Sequence, residues 1–393
     1  MSLSATSVIT DGIASYETGV DMGRRLMAGL DGMAPSAVVY YATVNHDQAA
    51  VLGGLRAAIP SGTGIVGCST QGVMSLGRVT EEGYAAGALA LAGLPASTAH
   101  VEAIQLDTYA KGVALGAALR AGLSEPAKAV VLLWDPLCGA DMDRLLAGLH
   151  AQVQCPIIGG AASHTHSAMI KTLQGHGDRV FSHGAVAMAL AGDNCFELGC
   201  SAGTSPIGVE MTVTRAEGTR VFELDGRPAL DVWTEITSSS LPSSDHAARS
   251  ARAGLAIGIP VGPPEAGEYL VRAPFGIDTE RKAVVIQASL STGSTVMLHH
   301  RTVPVLLDGT AAMARDLRTR LGDRTVRAVL GFECGARTKP FLGMENTLRE
   351  NLSLQATLGG TTWLGMLAWG EVFSTAGKPA FHNYAYPLLV LAD

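Results

Sequence analysis

Residues 129–134, AVVLLW, lead through a helical stretch over 141–153 to PIIGGAA at 156–162. A short apolar run, a helix and a second short apolar run read as α/β layering, with strands covered on both faces. The same order recurs twice. AVVYYA at 37–42 precedes a helix over 47–58 and GIVGCS at 64–69, and RAVLGF at 327–332 precedes a helix near 343–353 and WLGMLAW at 363–369. The second strand begins 27 residues after the first in two copies (37 to 64, 129 to 156) and 36 after it in the third (327 to 363). A further apolar strand closes each copy, over 83–93, 183–191 and 383–391. Each is also preceded by a strand and an amphipathic helix: Val8 with 15–30, 101–106 with 109–122, and 295–299 with 305–321. Such self-similarity fixes an architecture before any single residue is read, here layered α/β with three related strand-helix units.

Different material lies between the second and third copies. Residues 196–201 and 208–214 read as strands, 216–218 as a hairpin turn, 221–224 as its return strand, and Pro228 as the first position of a helix running to about 236. TSSSLPSS at 237–244 is the one low-complexity polar stretch and the natural boundary. Since 393 residues exceed what one core usually holds, two domains are expected: 1–237, a Ser-rich linker over 238–250, and 251–393.

Composition removes several function classes. Charged residues are 16% and apolar residues 47%, which excludes disorder. Lys plus Arg is 28 against 35 for Asp plus Glu, a net charge of -7 without a charged tail, so neither nucleic acid nor an anionic membrane is an expected partner. No span reads as a transmembrane helix and the N-terminus carries no export signal, so a cytoplasmic location is expected. The six cysteines show no CxxC spacing and sit mostly in apolar runs, as reduced core thiols do.

Several motifs together resemble the FIST sensory proteins. Gly67-Cys68-Ser69-Thr70-Gln71-Gly72, Gly159-Gly160-Ala161-Ala162, Gly199-Cys200-Ser201 and the run Glu223 to Leu230 are similar to the N-terminal half of that family. Leu270-Val271-Arg272, Phe332-Glu333-Cys334-Gly335-Ala336-Arg337, Gly370-Glu371 and His382-Asn383 are similar to its C-terminal half. The resemblance implies a sensor without enzymatic activity that binds a small ligand and signals to a separate protein such as a histidine kinase or a cyclic-nucleotide enzyme. A subgroup of such proteins binds haem and reports nitric oxide. The family usually carries acidic residues after the second Gly-Gly, where this chain has Ser163, His164, Thr165 and His166.

Ligands of open α/β sheets bind at the carboxyl ends of strands, where loops and helix N-termini gather. Those ends carry Cys68 and Ser69, Gly160 and Ser163, and Gly370 and Glu371 after the second strands, and Asn45, Asp135 and Cys334 after the first. With Arg337, His382 and Asn383 these residues are expected to line one ligand pocket between the two halves. Asn45, Asp47, Asp135 and Asp141 read first as caps of the helices that follow. Arg337 suits a carboxylate, either that of Glu371 or that of a ligand, or a structural ion pair. Cys334 reads as a core thiol or a ligand contact, and His382 as a structural imidazole or a haem ligand. His164, His166, His176 and His183 form a weak metal-binding pattern, and of His299 and His300 at most one can face a ligand. A Cys-dependent hydrolase using Cys68 or Cys334 is the enzymatic alternative, although P-loop and H-E-x-x-H motifs are absent.

Overall fold

The computed structural model describes residues 3–81, 83–164, 170–238, 254–262, 267–360, 362–375 and 377–393. Three six-stranded sheets share one strand order. The first unit supplies, from its edge inward, Ser4–Thr10, Ala86–Ala92, Ala37–Thr43 and Gly64–Thr70. The second supplies Ala96–Glu102, Gly184–Leu190, Ala129–Trp134 and Ile157–Ala161, and the third Cys195–Ser201, Tyr386–Ala392, Val326–Cys334 and Trp363–Ala368. In each unit the last two strands are parallel and the other neighbours antiparallel. The three expected units are therefore present with like topology.

A hairpin from another unit completes each sheet. The first unit's Val73–Ser75 and Arg78–Thr80 join the third unit's Trp363–Ala368. The second unit's Gln174–His176 and Arg179–Phe181 join the first unit's Gly64–Thr70. The third unit's Glu371–Thr375 and Lys378–His382 join the second unit's Ile157–Ala161. The exchange is cyclic, so every unit both gives and receives a hairpin.

Covered strands must be apolar on both faces. The inner faces of the three sheets merge in one core, with Tyr41, Val66 and Cys68 from the first unit, Leu133 and Ile158 from the second, and Phe332 and Met366 from the third. Each outer face packs its own helix pair: Ser15–Gly29 with Gln48–Ala58, Thr108–Ala121 with Met142–Val153, and Val303–Leu321 with Gly343–Leu358. The first two pairs cross at glycines. A Cβ on Gly19 would stand 2.1 Å from Val51 O, and one on Gly54 2.1 Å from Tyr16 O. Gly112 and Gly148 repeat this, with Leu145 O and Tyr109 O each at 2.2 Å. In the third pair Thr310 and Glu350 meet across the helices instead, joined by a hydrogen bond of 2.5 Å.

One expectation is corrected. The strand at Thr295–His300 is not the edge strand of the third unit; that place is held by Cys195–Ser201. Thr295–His300 belongs to a separate eight-stranded sheet with Ser205–Glu217, Arg220–Leu224, Leu255–Pro260 and Tyr269–Arg272 among its strands. This sheet packs on helix Ala229–Ser238 around its own core of Val213, Leu224, Ile257, Val296 and Leu298. It is an insertion between the third unit's edge strand and that unit's first helix, which is why sequence adjacency misassigned the strand. Residues 239–250, most of the Ser-rich stretch, lie outside the described residues, and strands from both sides of it share three of the four sheets. No helix among the described residues is long and apolar enough to cross a membrane.

Candidate functional site

Val326–Cys334 and Trp363–Ala368 run side by side through the third unit, in a register that pairs Cys334 with Ala368. Two residues later the chain must leave this sheet for the second unit's. Gly370 makes the turn at φ +132, where a side chain is strained and would meet the Phe381 ring at 2.6 Å. Glu371, the first residue of the exchanged hairpin, then pairs with Gly160. Its carboxyl is fully buried and accepts from Gly370 N at 3.2 Å and Ala385 N at 3.1 Å. Burial pushes it up to about 8, and the backbone donors and the Cys334 thiol oppose that rise only in part. The Cys334 thiol is itself pushed up, first by burial and then by Glu371.

Strand ends of all three units meet around Leu367 and Trp369, just before this residue in the chain. Gln71, Ser163 and Trp369 occupy equivalent places one after another in the repeat. Gln71 Oε1 accepts from Trp369 Nε1 at 3.1 Å, and Gln71 Nε2 donates to Gly335 O and to Glu81, each at 3.2 Å. A Cβ on Gly335 would stand 2.4 Å from Gln71 Oε1, so the glycine admits the amide. Ser163 Oγ accepts from Gln71 N at 2.7 Å and donates to Leu367 O, while Ser69 O accepts from Ser163 N at 3.0 Å. The inserted sheet closes the far side. Asn383 Oδ1 accepts from Ala273 N at 2.9 Å, Asn383 Nδ2 donates to Gln287, and Gln287 donates to Trp369 O at 3.4 Å. Arg301, also buried, lies 3.6 Å from the Tyr384 ring and 4.2 Å from that of Phe341, and donates to Ala336 O.

The residues singled out from sequence divide accordingly. Ser69, Ser163, Cys334, Glu371 and Asn383 are brought together at this junction. Cys68 and Gly160 lie further in, at equivalent positions of the shared core; Cys68 Sγ is 3.9 Å from Met366 Sδ, and a Cβ on Gly160 would touch Ala368. Arg337 does not pair with Glu371. Its guanidinium is fully buried against Glu350 at 2.6 Å and Glu333 at 3.6 Å, and also donates to Thr310 Oγ1 and Tyr384 O. Glu333 is pushed well up, first by burial and then by the neighbouring Glu350.

Asp47 and Asp141 cap their helices, accepting from two backbone N–H groups each. Asp135 does not cap; it accepts from Leu137 N, Thr172 Oγ1 and His183 N and so ties loops to the second unit. His176 faces His100, with Nδ1 to Nδ1 at 3.0 Å, rather than His164 or His183, and His166 lies outside the described residues. Among the described residues no three His, Cys, Asp or Glu side chains could hold a metal ion. His299 is the buried member of its pair, bonded to Thr204 and edge-on to Tyr269. His382 is 3% exposed, its Nε2 is taken up with Thr375 Oγ1 at 3.2 Å, and burial pushes it down to about 3. His382 Nδ1 has no partner among the described residues, but it is buried, and a haem needs an open face for the macrocycle, so these surroundings do not fit that group.

Gln71, Glu81, Arg301, Trp369 and Tyr384 were not singled out. Gln71 and Trp369 stand at the repeat position that Ser163 holds, so the spacing alone carries that signal. Arg301, on the far side of the insertion, has no such signal.

The fold is a three-unit α/β assembly with exchanged hairpins, carrying a buried polar junction at one end of the third unit. Residues 36–227 match the FIST N domain and residues 229–374 the FIST C domain, so the chain belongs to the FIST family, whose domains are sensory. An uncharacterized protein of Mycobacterium tuberculosis is similar at 27% identity over 379 residues, 93% of each chain. Another, of Mycobacterium bovis, is 29% identical over 225 residues, 54% of this chain and 55% of its own. The solved structure of PurLQS from Thermotoga maritima aligns over 99% of this chain and 72% of that one at 10% identity and a TM-score of 0.25, a likeness that transfers neither fold nor activity.

Proposed function

We propose that the chain is a sensory protein without enzymatic activity that binds a small ligand at the Cys334–Glu371 junction and signals to a separate protein, such as a histidine kinase or a cyclic-nucleotide enzyme. The observation that carries this reading is the convergence of polar side chains from the repeat units and the inserted sheet on the Trp369–Glu371 turn, where a buried carboxyl is pushed up to about 8 and so keeps its proton at neutral pH. Glu371 in that state both donates and accepts a hydrogen bond, and Gln71, Gln287 and Asn383 add amides whose partners lie on other elements, so a bound molecule would be read by several units at once. The absence of a thiol–imidazole pair at Cys68 or Cys334 among the described residues, and the upward push on both thiols, speak against nucleophilic chemistry.

Native mass spectrometry of the purified chain, with an optical spectrum, tests the reading. A retained molecule of small mass that is lost in Glu371→Ala and Gln71→Leu supports it, and so does the lack of a Soret band. Turnover of a metabolite abolished by Cys334→Ala would overturn it, as would a retained molecule unaffected by either substitution.

A further inference from the structure

We propose that the Tyr384–Ala385 peptide group hands events at Glu371 to the helix pair of the third unit, with Arg337 and Glu350 as positioning residues. The inference rests on the reading of Glu371 as part of a ligand site. Tyr384 O and Ala385 N belong to one planar group. Its carbonyl accepts from Arg337 Nη1 at 3.1 Å and its N–H donates to Glu371 Oε2 at 3.1 Å, so carboxyl and guanidinium hold the two ends of a single peptide dipole. Rotating that group breaks both bonds together. Tyr384 itself is left-handed at φ +62, a conformation that its Cβ disfavours, and its ring is stacked on Arg301. The contacts on the peptide therefore hold a residue that would otherwise relax.

Beyond Arg337 the path reaches only one helix pair. Arg337 Nη2 donates to Glu350 on Gly343–Leu358 and to Thr310 on Val303–Leu321, and Thr310 donates to the same Glu350 oxygen. The corresponding crossings of the other two units are closed by Gly19 with Gly54 and by Gly112 with Gly148, which offer no side chain to couple to. A ligand that donates to Glu371 competes with Ala385 N–H. Freed on that side, the peptide turns, Arg337 loses its carbonyl, and the Thr310–Glu350 contact loosens. Such coupling is a claim about energies and requires a cycle of substitutions rather than proximity.

Hydrogen–deuterium exchange on the full chain, with no ligand added, provides the test. Glu371→Ala is expected to raise exchange in 303–321 and 343–358 by roughly tenfold, and exchange in the helix pairs at 15–58 and 108–153 by less than about twofold. Combining it with Glu350→Gln should raise exchange by at least about threefold less than the product of the single effects, since both substitutions break one chain of bonds. Unchanged protection in the third pair, equal loss in all three pairs, or a combined effect equal to the product would overturn the proposal. If Glu371→Ala does not fold, Glu371→Gln is read in the same way, with a smaller rise confined to the third pair. Because no ligand is present, failure here leaves the binding reading standing, and failure to find a ligand leaves this measurement intact.

Discussion

A carboxyl withdrawn from water keeps its proton, and Glu371 makes this measurable. Its folded value of about 8 lies above the ordinary 4.5, so the folded protein holds a proton that the unfolded chain releases in between. The associated stability is fully present below about pH 4.5 and is lost as pH rises to about 8. Glu371→Gln cannot ionise, so urea unfolding at a series of pH values should show a shallower decline between pH 5 and 8 than in the parent chain; equal slopes would remove Glu371 as the cause. His382 runs the other way. Held near 3, it adds stability above about pH 6.5 that is lost as pH falls, and His382→Asn should flatten that acid limb. Arg337 is the third such residue. Arg337→Leu strands Glu350 and Glu333 in the interior and should cost about 3–5 kcal/mol in chemical denaturation, whereas joint replacement of Arg337 and Glu350 by apolar residues should recover most of it. A loss under about 1 kcal/mol for the single change would mean that the cluster is hydrated.

At the level of elements, glycine decides how closely two helices approach. Gly54 and Gly148 face backbone oxygens at 2.1 and 2.2 Å from where a Cβ would stand, so an added methyl forces the helices apart. Gly54→Ala and Gly148→Ala are each expected to destabilise by about 1–3 kcal/mol, the overpacking cost exceeding the gain in helix propensity. Gly53 is the internal control: it is exposed on the same helix with the Tyr16 ring 3.9 Å away, and Gly53→Ala should be neutral or stabilising by up to about 1 kcal/mol. Thermal melts in which all three variants behaved alike would reject the close-crossing account. The third unit departs at this same point, trading a glycine crossing for Thr310 and Glu350 and so admitting Arg337 between its helices.

For the molecule as a whole, the exchanged hairpins set what can fold alone. The second unit's sheet lacks Glu371–Thr375 and Lys378–His382 without the C-terminal part, and the third unit's lacks Val73–Ser75, Arg78–Thr80 and Cys195–Ser201 without the N-terminal part. An exposed edge next to a bared apolar face is a template for aggregation. Fragments 1–238 and 254–393 are accordingly expected to aggregate when produced separately and to co-purify one to one when co-expressed. Size-exclusion chromatography decides this, and a folded, monomeric 254–393 by itself would contradict the shared-sheet account.

The sequence by itself determined the three α/β units, because AVVYYA, AVVLLW and RAVLGF are strands buried on both faces and only helices on one side and a common core on the other can cover them. It also determined that strand ends at Ser69, Ser163 and Glu371 gather, since parallel strands of like units place their carboxyl ends alike. Which edge each hairpin completes was decided by the tertiary structure: Val73, Gln174 and Glu371 begin chemically unlike hairpins, and nothing local distinguishes a unit's own edge from its neighbour's. The same holds for Arg337. Its residue type called for a carboxylate, but whether Glu371 or Glu350 supplied it depended on the space opened where Thr310 replaces a glycine in the third helix crossing, a distance of closest approach that no stretch of sequence contains.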